Sequence, residues 1–91
     1  MESVYEQALC VELRNRSIVY ESQLAVTISY KGQPVGQARL DLLVGNELVV
    51  ELKAVEALLP IHHAQVVSYL RATGRHLGLL INFNVPSLRA R

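Results

Sequence analysis

Asp41, Glu51 and Lys53 stand in a stretch that is otherwise mostly apolar. Asp41 sits in RLDLLV and Glu51 and Lys53 sit in LVVELK, with Gly45 and Asn46 between the two runs. Strands this hydrophobic belong in the middle of a sheet, where an unpaired charge costs several kcal/mol. The acids therefore need partners. Carboxylate oxygens, with carbonyl and water ligands, suit hard divalent cations such as magnesium or manganese. A proton held by one carboxyl would also relieve the pair. The plainer alternative is a salt-bridged cluster in which Lys53 and Arg39 neutralise Asp41 and Glu51.

The elements that must position these residues follow from alternation. Leu40, Leu42 and Val44 are expected on one face and Arg39, Asp41 and Leu43 on the other. Leu48, Val50 and Leu52 form an apolar face opposite Val49, Glu51 and Lys53. A two-residue turn would place Asp41 among apolar partners. Matching the apolar faces requires Val44 to pair with Leu48, leaving Gly45, Asn46 and Glu47 as the loop. That register sets Asp41 across from Glu51 and Arg39 across from Lys53. Directly opposed like charges repel, which sharpens the need for a cation or a proton.

Composition sets the outer bounds. Ninety-one residues at 51% apolar content make one small domain with a single core, residues 1–91. A formal net charge of +1 gives no global attraction to nucleic acid or acidic membranes, so any anion-binding surface must come from local clustering. Cys10 falls in a helical apolar pattern and reads as core. With one cysteine and no membrane-length or signal-like run, a cytoplasmic protein is expected. The chain opens directly into a helical pattern without an N-cap, so the first helix is expected to begin upstream of Met1.

In order, Glu2 to about Arg16 reads as a helix with Tyr5, Ala8, Leu9, Glu12 and Leu13 on its stripe, widened by Val4 and Val11. Glu2 and Glu6 read as solvated first-turn acids. A strand from about Ile18 to Tyr30 ends at the turn Lys31-Gly32-Gln33-Pro34, and the hairpin follows. Pro60 opens a second helix running to about Thr73, with Gly74 as its C-cap. Its expected core stripe is Ile61, Ala64, Val67, Ser68 and Leu70, while Gln65 and Tyr69, four apart, share another face. His62 and His63 are adjacent, point about 100° apart and make a poor metal pair. Leu77 to Phe83 reads as a buried strand parallel to the one bearing Glu51. The order α-β-β-β-α-β predicts a three-layer α/β/α domain on a mixed four-stranded sheet.

The same residues resemble a known pattern. Asp41, nine intervening residues and then Glu51-Leu52-Lys53 resemble the active-site signature of the PD-(D/E)XK nuclease superfamily, whose restriction-endonuclease-like core has this element order. Gln65-x-x-x-Tyr69 is similar to the motif carried by the RecB-like branch. Glu2-x-x-Tyr5 with RLDLLV, ELKAV, QVVSYL and GLLINF resembles the GxxExxY family. The resemblance implies a metal-dependent nuclease hydrolysing DNA phosphodiester bonds. Asp41, Glu51 and the Leu52 carbonyl would hold Mg2+ or Mn2+, with Glu2 as a further ligand, and Lys53 would orient water or stabilise developing charge. Gln65 and Tyr69 would position the lysine or the nucleic acid. The alternative is an inactive nuclease-fold module that binds nucleic acid through Arg39, Lys53 and Arg71 or mediates dimerisation; the small size resembles dimeric junction-resolving nucleases, implying a homodimer.

Overall fold

The computed structural model of the chain describes residues 2–84. It contains α1 (Glu2–Asn15), β1 (Tyr20–Tyr30), β2 (Gln33–Val44), β3 (Leu48–Lys53), α2 (Pro60–Thr73) and β4 (Leu77–Asn82). The four strands form one sheet in the order β1-β2-β3-β4. Its first two pairings are antiparallel and β3 runs parallel to β4. A parallel neighbour needs a crossover, and α2 supplies it. Cys10 on α1 packs with Leu42, Val50 and Leu52, whereas Tyr69 on α2 packs with Val26, Leu40, Leu43 and Val49. The helices thus cover opposite faces, giving the expected α/β/α layers.

The turns obey their residues. Lys31 and Gly32 both take positive φ, 50° and 77°, so Tyr30 pairs directly with Gln33 across a two-residue turn. β2 therefore starts earlier than anticipated, and Pro34 lies inside it rather than in the turn. The register shifts between Ile28 and Ser29, and a bulge of this kind tolerates a residue lacking an N–H. At the other end of β2 the three-residue loop forms as expected. Val44 pairs with Leu48, Gly45 and Asn46 take φ of 61° and 56°, and the Glu47 N–H donates to the Val44 carbonyl at 3.1 Å. α2 closes at Gly74, whose left-handed conformation lets its N–H reach the Leu70 carbonyl.

Four expectations about faces are corrected. Leu40 and Leu42 belong to different clusters, so alternation breaks at Asp41. The β1–β2 pairing passes from Ser22↔Leu42 to Leu24↔Leu40, and Gln23 between them has a φ of 54°. A left-handed residue inside a strand reverses which face its neighbours address. On α1 the buried residues are Glu6, Cys10 and Leu13, while Ala8, Glu12, Val4 and Val11 are exposed. Glu6 is not a solvated acid: it is buried and accepts a 2.7 Å hydrogen bond from Gln23 Nε2.

On α2 the buried pair is Val66 and Tyr69, and Ile61, Ala64 and Val67 face outward. Apolar residues surround this helix, so periodicity alone does not select the face. The buried face is the one that brings Tyr69 into the cluster of Val26, Leu40, Leu43 and Val49. Finally, β4 is an edge strand: Leu77 and Leu79 are about half exposed rather than buried. An apolar run reads the same at the middle and at the parallel edge of a sheet.

Close packing of α2 on β4 depends on Gly78. A Cβ there would lie 2.7 Å from Val66 Cγ1 and 3.3 Å from Leu70 Cδ1. Gly78→Ala is expected to destabilise the fold by about 1–3 kcal/mol through overpacking, read as a lower denaturant midpoint at unchanged m-value.

Candidate active site

The β2–β3 ladder runs from Val44↔Leu48 to Leu42↔Val50. At the next step side chains take over the pairing. The Asp41 N–H donates to Glu51 Oε1 at 2.9 Å, and the Leu52 N–H donates to Asp41 Oδ2 at 2.8 Å. Each carboxylate thus inserts one oxygen between the strands and satisfies a backbone donor of the other. Both acids are held by charge-assisted hydrogen bonds to rigid elements. The anticipated Val44↔Leu48 register holds, but the ladder ends at Leu42↔Val50, so Asp41 and Glu51 meet through these hydrogen bonds rather than as a paired step, and the expected pairing of Arg39 with Lys53 is not formed.

Electrostatics make Glu51 the unusual member. It is 3% exposed, and burial lifts its pKa from 4.5 to about 7. The Asp41 N–H opposes that rise, the Asp41 charge adds to it, Lys53 lowers it and Glu2 raises it slightly. Lys53 Nζ lies 4.0 Å from Glu51 Oε2, a long and incomplete neutralisation. Arg39 is exposed and forms no ion pair among the described residues, so the salt-bridged alternative is only half realised.

A divalent cation fits this donor set. The Asp41 and Glu51 carboxylates supply hard oxygens, as does the Leu52 carbonyl between Glu51 and Lys53, and a buried carboxyl lifted toward neutrality is one that a cation would stabilise as the anion. No group of three or more His, Cys, Asp or Glu side chains converges among the described residues. Glu2, exposed at the start of α1, is felt at Glu51 only as a distant charge. The pocket itself has two carboxylates.

α2 roofs the site. Gln65 Nε2 donates to the Tyr69 hydroxyl at 3.1 Å, and that hydroxyl donates to the Arg39 carbonyl at 3.4 Å. The Tyr69 ring is buried, and burial together with the Glu51 charge raises its pKa. Tyr69 thereby ties the helix to β2 two residues before Asp41. Gln65, half-buried, borders a depression that also includes Lys53. His62 Nδ1 accepts the Leu59 N–H at 2.9 Å, a capping role at the helix start in keeping with its poor prospects as a ligand.

Two residues that sequence reasoning missed hold the end of β3. Asn82 pairs with Lys53 across the parallel ladder, and its amide bonds both the N–H and the carbonyl of Val55 at 3.1 and 2.9 Å. The Phe83 N–H donates to the Lys53 carbonyl at 2.8 Å, and its ring stacks on Tyr5 at 4.4 Å. One polar residue ending an apolar run was the available signal for Asn82. Gln23, whose left-handed backbone breaks the strand beside Asp41, carried none.

No curated protein and no solved structure matches the chain. A sequence profile of the PD-(D/E)XK nuclease superfamily matches residues 1–91, and the α-β-β-β-α-β order on a mixed four-stranded sheet is compatible with its restriction-endonuclease-like fold. The chain belongs to the PD-(D/E)XK nuclease superfamily.

Proposed function

We propose that the protein is a divalent-metal-dependent nuclease that hydrolyses phosphodiester bonds in DNA. Superfamily membership points to a nuclease-type function on nucleic acid, and PD-(D/E)XK nucleases generally use divalent metals. The observation that carries the finer reading is the reciprocal arrangement of Asp41 and Glu51, each anchored by the other's strand and poised beside Lys53. Within the superfamily, Glu2-x-x-Tyr5 and the Gln65–Tyr69 hydrogen bond favour the GxxExxY family and the RecB-like branch.

Asp41, Glu51 and the Leu52 carbonyl would hold the cation, which when bound supplies Lewis-acid polarisation of the phosphoryl group and a more acidic water. The chain's own residues do the rest. Anchored by backbone donors, both carboxylates keep their geometry without reorganising during reaction. Lys53, on the same face as Glu51, presents an ammonium toward the charge that develops on the phosphoryl oxygens. Gln65 and the Tyr69 hydroxyl fix the helix over that face.

Metal titration followed by thermal melting tests this reading. Magnesium or manganese is expected to raise the melting temperature of the wild type and leave Asp41→Ala unmoved. A DNA-cleavage assay with the same variant should lose at least about a thousandfold in rate. Equal metal responses in the two proteins would sink the proposal.

A further inference from the structure

Beside the candidate site, the exposed side of α2 carries two depressions that meet end to end. One, about 540 Å³, is bordered by Lys53, His62 and Gln65; the other, about 610 Å³, lies between Thr27 and Ser29 of β1 and Arg71 of α2. Ala64 and Ser68 belong to both. Ala64, Ser68 and Arg71 follow at intervals of four and three residues and so line one helix stripe. Two small residues make a shallow floor, Ile28 and Val67 add apolar surface, and hydroxyls and an arginine stand at the far end. Neither depression is bordered by an acid; each has a cation, Lys53 in one and Arg71 in the other. In a chain of net charge +1 this is a local cationic track, not a consequence of composition.

We propose that this groove binds one unpaired nucleic-acid strand, leading it from the phosphate held near Lys53 to a second phosphate held by Arg71. The inference rests on the nuclease reading and names its substrate class: single-stranded nucleic acid or the frayed end of a duplex. From Ala64 to Arg71 the helix advances about 10 Å at 1.5 Å per residue. That accommodates about three stacked nucleotides at roughly 3.4 Å each. Each depression has the volume of a small-ligand pocket, within the roughly 300–1,000 Å³ that such sites span, enough to seat a nucleotide. Ile28 and Val67 give bases an apolar surface without reading sequence. Arg71 and the hydroxyls of Ser68, Thr27 and Ser29 recognise the backbone.

The test uses the full chain with fluorescent single-stranded and duplex oligonucleotides of the same sequence. In chelator, the single strand is expected to bind more tightly than the duplex. Arg71→Ala should weaken it about tenfold and reduce the slope of log K against log salt by about 0.7, the value for one lost phosphate contact on a single strand. Arg71→Lys should restore most of the affinity and the slope. In magnesium, Arg71→Ala should raise KM on single strands at least fivefold and leave kcat within twofold. Wild-type cleavage with the same KM in Arg71→Ala would overturn the groove and leave the nuclease reading standing. Strand binding that depends on Arg71 without any cleavage would do the reverse. Tighter binding of the duplex would overturn the proposal, as would concentration-dependent dimerisation lost in Val67→Glu with strand binding intact, which would assign the face to a second copy.

Discussion

Glu51→Gln is expected to abolish cleavage and, in the same protein without metal, to raise the melting temperature. Glu51 is buried and its pKa stands at about 7 in the folded chain against an ordinary 4.5. The folded state therefore holds the proton more tightly than the unfolded state. The stabilisation is fully present below about pH 4.5, declines as pH rises toward 7 and is lost above it. At roughly 1.4 kcal/mol per pKa unit the loss is about 3 kcal/mol. Glutamine keeps an oxygen to accept the Asp41 N–H, now met by Glu51 Oε1 at 2.9 Å, and carries no charge to desolvate. In chelator at pH 8 the variant should melt about 12–24 °C higher than wild type, given roughly 4–8 °C per kcal/mol for a domain of this size. The wild-type decline between pH 5 and 8 should flatten in the variant. Cleavage should fall at least about a thousandfold, because a neutral amide is a poor ligand for a hard cation. A lower melting temperature for the variant at pH 8 would show that Glu51 is a structural partner rather than a strained functional acid.

Removing the ammonium at Lys53 should separate chemistry from metal binding. Lys53→Met keeps the unbranched stem and deletes the charge 4.0 Å from Glu51 Oε2. kcat is expected to fall roughly 10²–10³-fold, the range for losing one group aimed at developing negative charge. The metal-induced rise in melting temperature should persist, since Asp41, Glu51 and the Leu52 carbonyl remain. Lys53 also lowers the pKa of Glu51, so its loss should push that pKa further up. Residual activity should then appear at more alkaline pH than in the wild type. A variant with unchanged kcat would remove Lys53 from the chemistry.

Both predictions depend on an arrangement that was partly legible in one dimension. Asp41, Glu51 and Lys53 are visible because charge in an apolar strand is expensive, and a hairpin has few registers that keep its apolar faces together. The Val44↔Leu48 pairing and the three-residue loop followed from that constraint. The α2 boundaries followed from Pro60 and Gly74, whose backbone limits are local. Element order then implied the parallel crossover and the layers.

What alternation and helical period left undecided was the face. α2 carries apolar residues all round, and it turns Val66 and Tyr69 inward, where Tyr69 joins the cluster of Val26, Leu40, Leu43 and Val49 while its hydroxyl reaches the Arg39 carbonyl. Glu6 looks like a solvated acid until β1 places Gln23 against it. The residues of the candidate site, their strands and the register that brings them together were determined by the sequence, through costs that act between near neighbours in the chain. Tertiary structure alone decided the break in alternation at Asp41, the hydrogen bonds by which Glu51 accepts the Asp41 N–H and Asp41 accepts the Leu52 N–H, and the lifting of Glu51 to about 7. Each depends on a left-handed residue, a strand separation or a depth of burial that exists only after distant segments have packed together.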